Sequence, residues 1–528
     1  MAKATQELGI LTDQNALRLS VCMIVKNEST NLVRSIASIQ AIADEIVVVD
    51  TGSTDDSIAM AKALGAKVFT FTWNDDFSAA RNFAFENATA KWILSLDADE
   101  ELATNAVDAL RALVKSDPQG PTIATVDIVS TFDSGEAEQA PAPRLASNHP
   151  DIRFERPIHE ELGSISGAAV YRFHASGVLL EHHGYKRAER SRQSKEERNL
   201  RLLLAAVARE PTNLIYQYYL SLEYASQGMY REAIDLYALK IVEMEAGLPR
   251  HCAIRAFLQY ALSIEGSGQP LAAAEIVGSA ANRLSSAALH VIAAQAFLNA
   301  SRPPEASEHA ESALRLAGER TDEVMPKSNL LASAYLARGE VARFNKDLVA
   351  ASIAYNSAVR VQPKGTHARV RIAEMRASQG DLLGARERLQ TVLEISPNDE
   401  SANIVLARIE RRMGLLQEPV DRLFAVLDQA PRNLVLRLEL ADLLFEAKEN
   451  QAGVDLLVAA LELPQLQSRP PEFRARYYDR LGFGLLQVDR LKDALQAYQI
   501  AQAADPDLAG PKAMLAGFQR IAGEFVVA

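Results

Sequence analysis

The sequence predicts a two-part fold, in which an N-terminal α/β domain is followed by an all-α region. In the first part of the chain, short apolar segments alternate with amphipathic helix patterns, which is typical of a parallel sheet covered by helices. In the rest, Pro363, Pro397 and Pro431 recur every 34 residues in Ala- and Leu-rich sequence, and such a period indicates stacked helix pairs. The 528 residues also exceed the size at which a single core stops growing.

The elements of the α/β domain are predicted in order along the chain. Three apolar strands each precede a helix pattern, namely Leu19–Lys26 and Ser29–Ile42, Glu45–Val49 and Ser57–Leu64, and Lys67–Phe71 and a helix opened by Asn74–Asn82. Gly52 permits a tight turn after the second strand, and Ser53, Thr54 and Asp55 are suitable N-caps for the helix that follows. Ligands of such sheets bind at the carboxyl ends of the strands. The residues that we place on this edge are Asn27, Asp50, Arg81 and Asp97.

The fourth strand begins at Trp92 and ends in two carboxylates, Asp97 and Asp99. Side-chain direction repeats every second residue of a strand, so both project in the same sense. Two close carboxylates repel each other unless a cation lies beside them, and Mg²⁺ or Mn²⁺ prefers such oxygen ligands and also binds phosphate. The pair therefore predicts a metal-held diphosphate, with an acidic loop that caps a helix as the alternative.

Four segments carry a resemblance to glycosyltransferase family 2, in order and spacing. They are Val25-Lys26-Asn27-Glu28, Val49-Asp50-Thr51-Gly52-Ser53-Thr54-Asp55, Ala80-Arg81-Asn82 and Leu96-Asp97-Ala98-Asp99-Glu100. The similar stretch runs from about Leu17 to Tyr185, and it resembles in particular the bacterial subgroup in which tetratricopeptide repeats follow the domain. The resemblance implies a Rossmann-like GT-A fold, a nucleotide-sugar donor and usually inversion at the anomeric carbon.

The resemblance also implies roles for residues on the donor side. Asp50 would hold the nucleoside, Arg81 would lie near the nucleotide, and Asp97 would contact ribose or metal. A UDP-sugar such as UDP-GlcNAc is the expected donor. Many relatives have a second acidic residue where this chain has Thr51, and this departure weakens the nucleotide assignment, although the Thr51 hydroxyl can still hydrogen-bond a uracil edge. The other donor-binding residues carried over are Val25, Asn27, Glu28 and Gly52. The alternatives are a capping role for Asp50 and a surface position for Arg81.

The metal site and the catalytic base complete the expectations from the resemblance. Asp99 would be the principal ligand of Mn²⁺ or Mg²⁺, and a late histidine of this fold is a common further ligand, for which we choose His182 before His183. An inverting transfer needs a base beside the acceptor hydroxyl. The His159-Glu160 pair lies on the acceptor side of the fold, so Glu160 is our candidate and His159 the next. The alternative for Glu160 is an ion pair with Arg153 or Arg156.

The second half of the domain gives weaker patterns. Thr122–Val129 and Val178–Leu180 are predicted as strands, and Gly135–Pro143 as a polar, mobile loop. We place an N-terminal extension at residues 1–16, the catalytic domain at 17–190 and the repeats at 191–528. Basic residues concentrate at the boundary between the catalytic domain and the repeats. They have two open interpretations: a solvated helix face, or a contact with the donor phosphates.

Composition excludes several classes of protein. The net charge of −12 argues against nucleic-acid or anionic-membrane partners. Cys22 and Cys252 are too few for a disulfide framework, which indicates a reducing compartment. The N-terminus lacks a signal-peptide pattern, and no run of 18 apolar residues is present to span a bilayer. We therefore expect a cytoplasmic enzyme without a membrane span.

The helical region is predicted to hold seven or eight tetratricopeptide units. Small, aromatic and proline positions recur, most clearly as Gly482, Ala494, Tyr498, Ala501 and Pro506, and as Gly339, Ala351, Tyr355, Ala358 and Pro363. Pro419 lies where a small residue is expected, so the second helix of that unit should begin there. Stacked units form a surface that holds peptides or folded partners. The alternative is a stabilising or dimerising scaffold.

The sequence thus favours a hexosyl- or N-acetylhexosaminyl-transferase that modifies a protein or peptide held by the repeats. The resemblance suggests flagellin, adhesins or small secreted peptides as acceptors. Two other functions stay open: a repeat-based binding scaffold with an idle transferase domain, and a transferase that acts on a soluble saccharide. The intact Asp97 and Asp99 pair favours an active enzyme, since an idle site would be expected to lose two costly adjacent carboxylates.

Overall fold

The computed structural model describes residues 18–131, 137–182, 189–319, 326–467 and 469–527. The chain divides into two compact units, Met1–Lys195 and Glu196–Ala528. The division falls within a helix, Glu189–Arg209, close to the boundary at residue 190 that the sequence suggested. The first unit is a mixed sheet with covering helices and the second is made of paired helices, so the predicted fold class is confirmed.

The described part of the first unit contains an eight-stranded sheet, a separate hairpin and four α-helices. The strands are β1 (Leu19–Val25), β2 (Glu45–Asp50), β3 (Lys67–Thr70), β4 (Trp92–Ser95), β5 (Glu100–Leu102), β6 (Thr122–Thr131), β7 (Ala137–Ser147), β8 (Ile152–Glu155), β9 (Glu161–Ser164) and β10 (Tyr171–His182). The helices are α1 (Ser29–Ile39), α2 (Ser57–Ala63), α3 (Phe77–Glu86) and α4 (Val107–Val114), with a 3₁₀ turn at Thr104–Ala106.

Strand order in the sheet is β3-β2-β1-β4-β7-β6-β10-β5. The first four strands are parallel, as predicted, and their limits differ from the prediction by a residue at most. All six residues of β2 are buried, as the apolar run requires of a strand covered on both faces. Helix α1 packs Leu32, Ile36 and Ile39 into the core, and it ends three residues before the predicted Ile42. The carboxyl ends of β1, β2 and β4 therefore meet at one edge.

Strand β7 corrects the predicted loop at Gly135–Pro143. Residues from Ala137 onward pair antiparallel with β6, and Leu145–Ser147 also pair with β4 on the other side. Pro141 and Pro143, which suggested a loop, lie where β7 has β6 alone as its neighbour. Proline is tolerated at such edge positions because its missing N–H interrupts no ladder there. Residues 132–136 of the predicted loop lie outside the described residues.

The second unit is built from consecutive helix pairs. After α5 (Glu189–Arg209), the helices are α6 (Leu214–Ser226), α7 (Tyr230–Gly247), α8 (Arg250–Gly266), α9 (Pro270–Leu284), α10 (Ala287–Asn299), α11 (Pro303–Glu319), α12 (Lys327–Phe344), α13 (Leu348–Val361), α14 (His367–Ser378), α15 (Leu382–Ile395), α16 (Glu400–Arg412), α17 (Gln417–Gln429), α18 (Leu434–Glu446), α19 (Asn450–Val458), α20 (Pro464–Gln467), α21 (Pro471–Gln487), α22 (Leu491–Ala504) and α23 (Ala509–Val527). Eight pairs run from α6/α7 to α21/α22 in the part of the chain that the structure describes. Helix α17 begins two residues before Pro419, which lies in its first turn.

Small residues in the first helix of a pair make room for an aromatic ring of the second. A Cβ atom built on Gly339 of α12 would overlap the ring of Tyr355 in α13, which is fully buried. In the same way, a Cβ on Gly482 of α21 would lie 2.9 Å from Cε1 of Tyr498 in α22. The glycine and tyrosine positions of the α12/α13 and α21/α22 pairs are therefore contact partners, which explains their spacing of 16 residues.

We expect Gly339→Ala to destabilise the repeats. Tyr355 is buried and its hydroxyl donates to Oε1 of Glu340 at 2.7 Å, so the ring cannot move away from a new methyl group. Overpacking costs about 1–3 kcal/mol, and alanine recovers up to about 1 kcal/mol through its helix propensity. The matched control is Gly318→Ala in α11, where a Cβ meets nothing within 4 Å. Urea unfolding midpoints should fall for the first variant and stay equal or rise for the control, and equal midpoints for both would contradict the contact.

Candidate active site

The loops after β1 and β2 are joined by side-chain hydrogen bonds at the carboxyl edge of the sheet. Asn27, in a left-handed conformation (φ 58°), donates its N–H to Oγ of Ser53 at 2.9 Å and accepts from the N–H of Thr54 at 2.7 Å. Asp50 is buried, and its Oδ2 accepts from the N–H groups of Gly52 and Ser53 at 3.0 and 3.1 Å. Asp50 therefore has the capping contacts that were its alternative, and its role towards a nucleoside stays a prediction.

The N-cap predicted for α2 was wrong. The N-cap is Asp56, without a side-chain capping bond. Ser53 and Asp55 bond the β1–α1 loop, and Oδ1 of Asp55 also accepts from the N–H of Ser57, the first residue of α2, at 3.0 Å. Oδ2 of Asp55 accepts from the N–H of Ser29 at 3.2 Å, and hydrogen bonds, chiefly from the Ser57 side chain, lower the pKa of Asp55 to about 2. The result is one continuous surface from both loops, into which Glu28 is tied by its N–H bond to Oγ of Ser57 at 2.8 Å.

Thr51 and Val25 are joined by a hydrogen bond. The Thr51 hydroxyl donates to the Val25 carbonyl oxygen at 3.0 Å, and the Thr51 residue is buried. The hydroxyl proton is therefore committed to the backbone, and a contact with a uracil edge would use the remaining acceptor capacity of the oxygen. Both residues lie on the predicted donor side, where their contact with a nucleotide stays a prediction.

Arg81 of α3 lies at the centre of a buried ionic cluster. Its Nη2 donates to Oδ1 of Asp97 at 2.8 Å, its Nε to Oε1 of Glu160 at 2.7 Å, and its Nη1 to Oγ of Ser95 at 3.2 Å. The side chain is 8% exposed, so Arg81 is not the surface cation of the alternative interpretation. Burial alone would lower the pKa of Arg81, but Asp97 and Glu160 raise it, and the guanidinium remains charged.

A second arginine, Arg144 of β7, completes the cluster and was not identified as a site residue from the sequence. Its Nη2 donates to Oδ2 of Asp97 at 2.8 Å and to Oε1 of Glu100 at 2.7 Å. Burial would raise the pKa of Asp97, but Arg144 and Arg81 together lower it, whereas burial raises the pKa of Glu100. We call Arg81, Ser95, Asp97, Glu100, Arg144 and Glu160 the Arg81 cluster.

Asp99 and His182 come together beside this cluster. His182 ends β10 opposite Glu100 of β5, and its Nε2 lies 3.5 Å from Oδ2 of Asp99. The hydrogen bond to Asp99 raises the pKa of His182. Oγ of Ser130 lies 3.3 Å from the other ring nitrogen, Nδ1, and holds the ring orientation. The structure thus brings together two of the three predicted metal ligands, Asp99 and His182, from distant segments. His183, the second choice, lies outside the described residues.

These residues fit a divalent cation that is shared with a ligand. Both oxygens of Asp97 accept hydrogen bonds from arginines, so Asp99 and His182 are the side chains that would hold the ion. No group of three or more potential ligand side chains occurs among the described residues. A site with one carboxylate and one imidazole leaves positions for phosphate oxygens and water, as Mg²⁺ and Mn²⁺ require. A metal role for Asp97 stays a prediction.

Glu160 is positioned by a turn that α3 holds in place. The N–H of Phe77 donates to the Pro157 carbonyl oxygen at 2.9 Å, and Oγ of Ser78 donates to the Arg156 carbonyl oxygen at 2.5 Å. Arg156 and His159 both have positive φ angles, 78° and 53°, which are uncommon for residues with side chains. The turn therefore presents the Glu160 carboxylate to Arg81.

The ion-pair partner of Glu160 differs from both alternatives that the sequence suggested. Arg156 instead pairs with Glu161, and Nη1 of Arg153 donates to the backbone carbonyl oxygens of His149 and Ile152. Asn82, which follows Arg81, bonds both the N–H and the carbonyl oxygen of Phe154 at 2.8 and 2.9 Å. The Ala80-Arg81-Asn82 segment thus fixes the position of the turn that carries Glu160.

The chain is similar to several known proteins. Residues 20–177 match the family model of glycosyl transferase family 2. A TPR repeat-containing protein of Synechococcus elongatus is 40% identical over 193 residues, which are 34% of this chain and 47% of that protein. An uncharacterized glycosyltransferase of Rickettsia conorii is 40% identical over 102 residues, or 19% and 36% of the two chains. The glycosyltransferase SunS of Bacillus subtilis is 27% identical over 227 residues, or 40% and 50%.

The matched segments span half or less of the length of these relatives. The matched family model lies within the first unit and includes every residue of the Arg81 cluster together with Asp99, while His182 lies five residues beyond it. Among the helices that the structure describes, none has the length and apolar content needed to cross a membrane. The first unit is therefore a glycosyltransferase family 2 domain, and helix pairs of the tetratricopeptide type follow it.

Proposed function

We propose that this family 2 glycosyltransferase domain moves a sugar, with inversion, from a UDP-sugar such as UDP-GlcNAc to a protein or peptide acceptor that the repeats hold. The observation that carries the proposal is the meeting of Asp99 and His182 beside an intact Arg81 cluster at the ligand-binding edge of the sheet. Buried charges are costly unless they are paired, and they concentrate at functional sites. An idle domain would have no reason to retain them.

The donor side of the proposed reaction uses Asp99, His182 and the two joined loops. Asp99 and His182 hold Mn²⁺ or Mg²⁺, which when bound stabilises the negative charge of the departing diphosphate. The surface formed by Asn27, Ser53 and Asp55 receives the nucleoside. Asp97 is held between Arg81 and Arg144. Its carboxylate would accept a hydrogen bond from a ribose hydroxyl of the donor and so orient the ribose at the edge of the Arg81 cluster.

The acceptor side uses Glu160. Its carboxylate is fixed by Nε of Arg81 through Oε1, and its other oxygen would take the proton of the acceptor hydroxyl as the new glycosidic bond forms. A base held in one orientation reduces the entropic cost of reaching the transition state. His159, in the same turn, is the second candidate.

A donor screen by thermal shift tests the donor part of the proposal. We expect UDP with Mn²⁺, and a UDP-sugar with Mn²⁺, to raise the unfolding temperature, since a ligand at 100 times its Kd stabilises the native state by about 2.7 kcal/mol. GDP with Mn²⁺ and UDP with a chelator are the matched controls and should stabilise less. An equal response to GDP would contradict the uridine assignment, and the absence of stabilisation by any nucleotide would favour a binding scaffold.

The acceptor part of the proposal is tested by mass spectrometry. Incubation with a UDP-sugar, a metal and candidate proteins, peptides or oligosaccharides should add one sugar mass to a polypeptide. Modification of soluble saccharides alone would instead support a transferase that acts on a soluble saccharide, for which the helix pairs have no acceptor to present.

A further inference from the structure

Cations concentrate on the first helices of three consecutive pairs in the second unit. Helices α12, α14 and α16 together carry nine Lys and Arg residues and four Glu residues. Their partners α13, α15 and α17 carry four Arg residues and five Asp and Glu residues. The whole chain has a net charge of −12. One row of helices is therefore positive within an acidic protein.

A cavity of about 420 Å³ lies across these first helices. Its apolar wall includes Met375, Val405 and Ile409. Four guanidinium groups line it, from Arg343, Arg371, Arg408 and Arg412. One carboxylate, Glu374, lies among them and accepts from Nη1 of Arg371 at 2.7 Å, so the lining carries an excess of positive charge. We call this cavity the arginine pocket. It combines an apolar surface that suits one aliphatic side chain with cations that suit carboxylates.

Three arginines of the pocket are held in place by carboxylates of α12, α14 and α18. Glu340 is 6% exposed, accepts from Nη2 of Arg343 at 2.8 Å, and forms an ion pair with Arg371, whose Nε lies 3.1 Å from its Oε1. Arg408 donates from Nε to Oε1 of Glu439 at 2.9 Å. The side chains of Arg343, Arg371 and Arg408 nevertheless remain 48%, 38% and 47% exposed. Each guanidinium has five N–H donors, so these bonds orient the groups and leave donors for a ligand.

Arg412 has a different contact. Its Nη1 donates to the backbone carbonyl oxygen of Ala377 at 3.3 Å. This bond leaves the positive charge of Arg412 without neutralisation by its hydrogen-bond partner. Arg412 is therefore the side chain of the pocket that can be reversed in charge without taking a partner from a carboxylate among the described residues.

We propose that the arginine pocket binds an acidic segment of a polypeptide in which carboxylate side chains flank an aliphatic one. Arginine forms paired, charge-assisted hydrogen bonds with carboxylates, and the apolar wall receives the side chain between them. The local charge is positive while the rest of the protein would repel a long polyanion, which favours a short acidic segment over a nucleic acid. The identification of this polypeptide as the acceptor rests on the proposed function.

Fluorescence polarisation with the full chain tests the proposal. The probe is a fluorescein-labelled peptide, Gly-Glu-Glu-Leu-Glu-Glu-Gly, and its comparison peptides replace all Glu by Gln or Leu by Ser. We expect the acidic peptide to bind at least tenfold more tightly than the Gln peptide, with an affinity that falls as salt rises because the contact is ionic. The Ser peptide should bind more weakly than the Leu peptide. Equal binding of the Gln peptide, or no binding of the acidic one, would overturn the proposal.

Paired variants locate the binding. The double variant Arg408→Gln, Arg412→Glu should lower the affinity for the acidic peptide at least tenfold. The matched control Arg360→Glu, Arg388→Gln makes the same charge change at exposed residues of α13 and α15 and should change binding less than twofold. Circular dichroism and thermal unfolding establish that both fold. Equal weakening by the control, or displacement of the probe by a single-stranded oligonucleotide at lower concentration than by unlabelled peptide, would also overturn the proposal.

The outcomes separate this inference from the proposed function, because the binding assay contains no donor and no metal. Peptide binding at the pocket without sugar transfer to any polypeptide would leave the inference standing and remove the acceptor role. Transfer to a polypeptide that proceeds equally in the pocket variant and the control variant, with no binding of the acidic peptide, would remove the inference and leave the proposed function.

Discussion

Replacement of Asp99 by asparagine is expected to reduce sugar transfer by on the order of 10³-fold. The side chain keeps its shape but loses the charge that attracts the metal and that holds His182, whose Nε2 lies 3.5 Å from Oδ2 of Asp99. Metal stabilisation of a departing diphosphate contributes several kcal/mol, and each 1.36 kcal/mol corresponds to about a factor of ten in rate. Steady-state transfer rates at saturating Mn²⁺ measure the effect, and chelation of the wild-type enzyme should abolish transfer until Mn²⁺ or Mg²⁺ is added back.

The matched control for this variant is Asp108→Asn. Asp108 lies in α4 with a side chain that is 94% exposed and pairs with Arg111 on the same helix. The same chemical change there should leave transfer within a factor of two. Full turnover of the wild-type enzyme in excess chelator would remove the metal from the mechanism, and a native circular dichroism spectrum of the Asp99 variant excludes unfolding as the cause of its loss.

Glu160→Gln is expected to lower the turnover rate by on the order of 10²–10⁴-fold while donor binding survives. Glutamine can still accept from Nε of Arg81 through its carbonyl oxygen, so the Arg81 cluster keeps its arrangement. It cannot take the proton of the acceptor hydroxyl. The residual rate should no longer show the low-pH limb of the profile, because protonation of Glu160 would cause that limb. Turnover against pH and donor affinity by thermal shift are the two measurements.

The neighbouring Glu161 provides the control for this second variant. It pairs with Arg156, and its side chain is 62% exposed. Glu161→Gln should leave the rate and the pH profile near those of the wild type. A near-normal rate and an unchanged profile in the Glu160 variant would instead rule Glu160 out as the base. His159 would then be the next candidate, followed by a carboxylate at 133–138, most of which lies outside the described residues.

Local patterns were sufficient for the parallel half of the sheet and for the helix pairs. Strand β2 and the Asp50–Asp55 turn are determined by a contiguous apolar run and a following glycine, so their signals are local. The Gly339 and Tyr355 contact recurs at Gly482 and Tyr498 with the same spacing of 16 residues, which makes it visible in one sequence. Asp99 and His182 are 83 positions apart in the chain, so no local pattern links them. The prediction that they lie together came from the family resemblance.

The remaining features depend on pairings between distant segments, which leave no local signal. The part of β7 with two prolines was predicted to be a loop, and its identity as a strand comes from pairing with β6. Arg144 then reaches Asp97, 47 residues away in sequence. Likewise, Arg153 and Arg156 are closer to Glu160 in sequence than Arg81 is, yet the folded turn directs Glu160 to Arg81. Sequence proximity is a poor guide to ion pairs that form across elements.

Arg81 also sets the distance between two carboxylates of the site. Its guanidinium is flat and covalently rigid, and three of its nitrogens are bonded, to Glu160, Ser95 and Asp97. The separation between the Glu160 and Asp97 carboxylates is therefore set by bond lengths and angles within one side chain, whereas loop conformations alone would let it vary. Lysine has the same charge, but its three N–H donors share one nitrogen and have no fixed plane, so it could contact both carboxylates without setting the distance between them in this way.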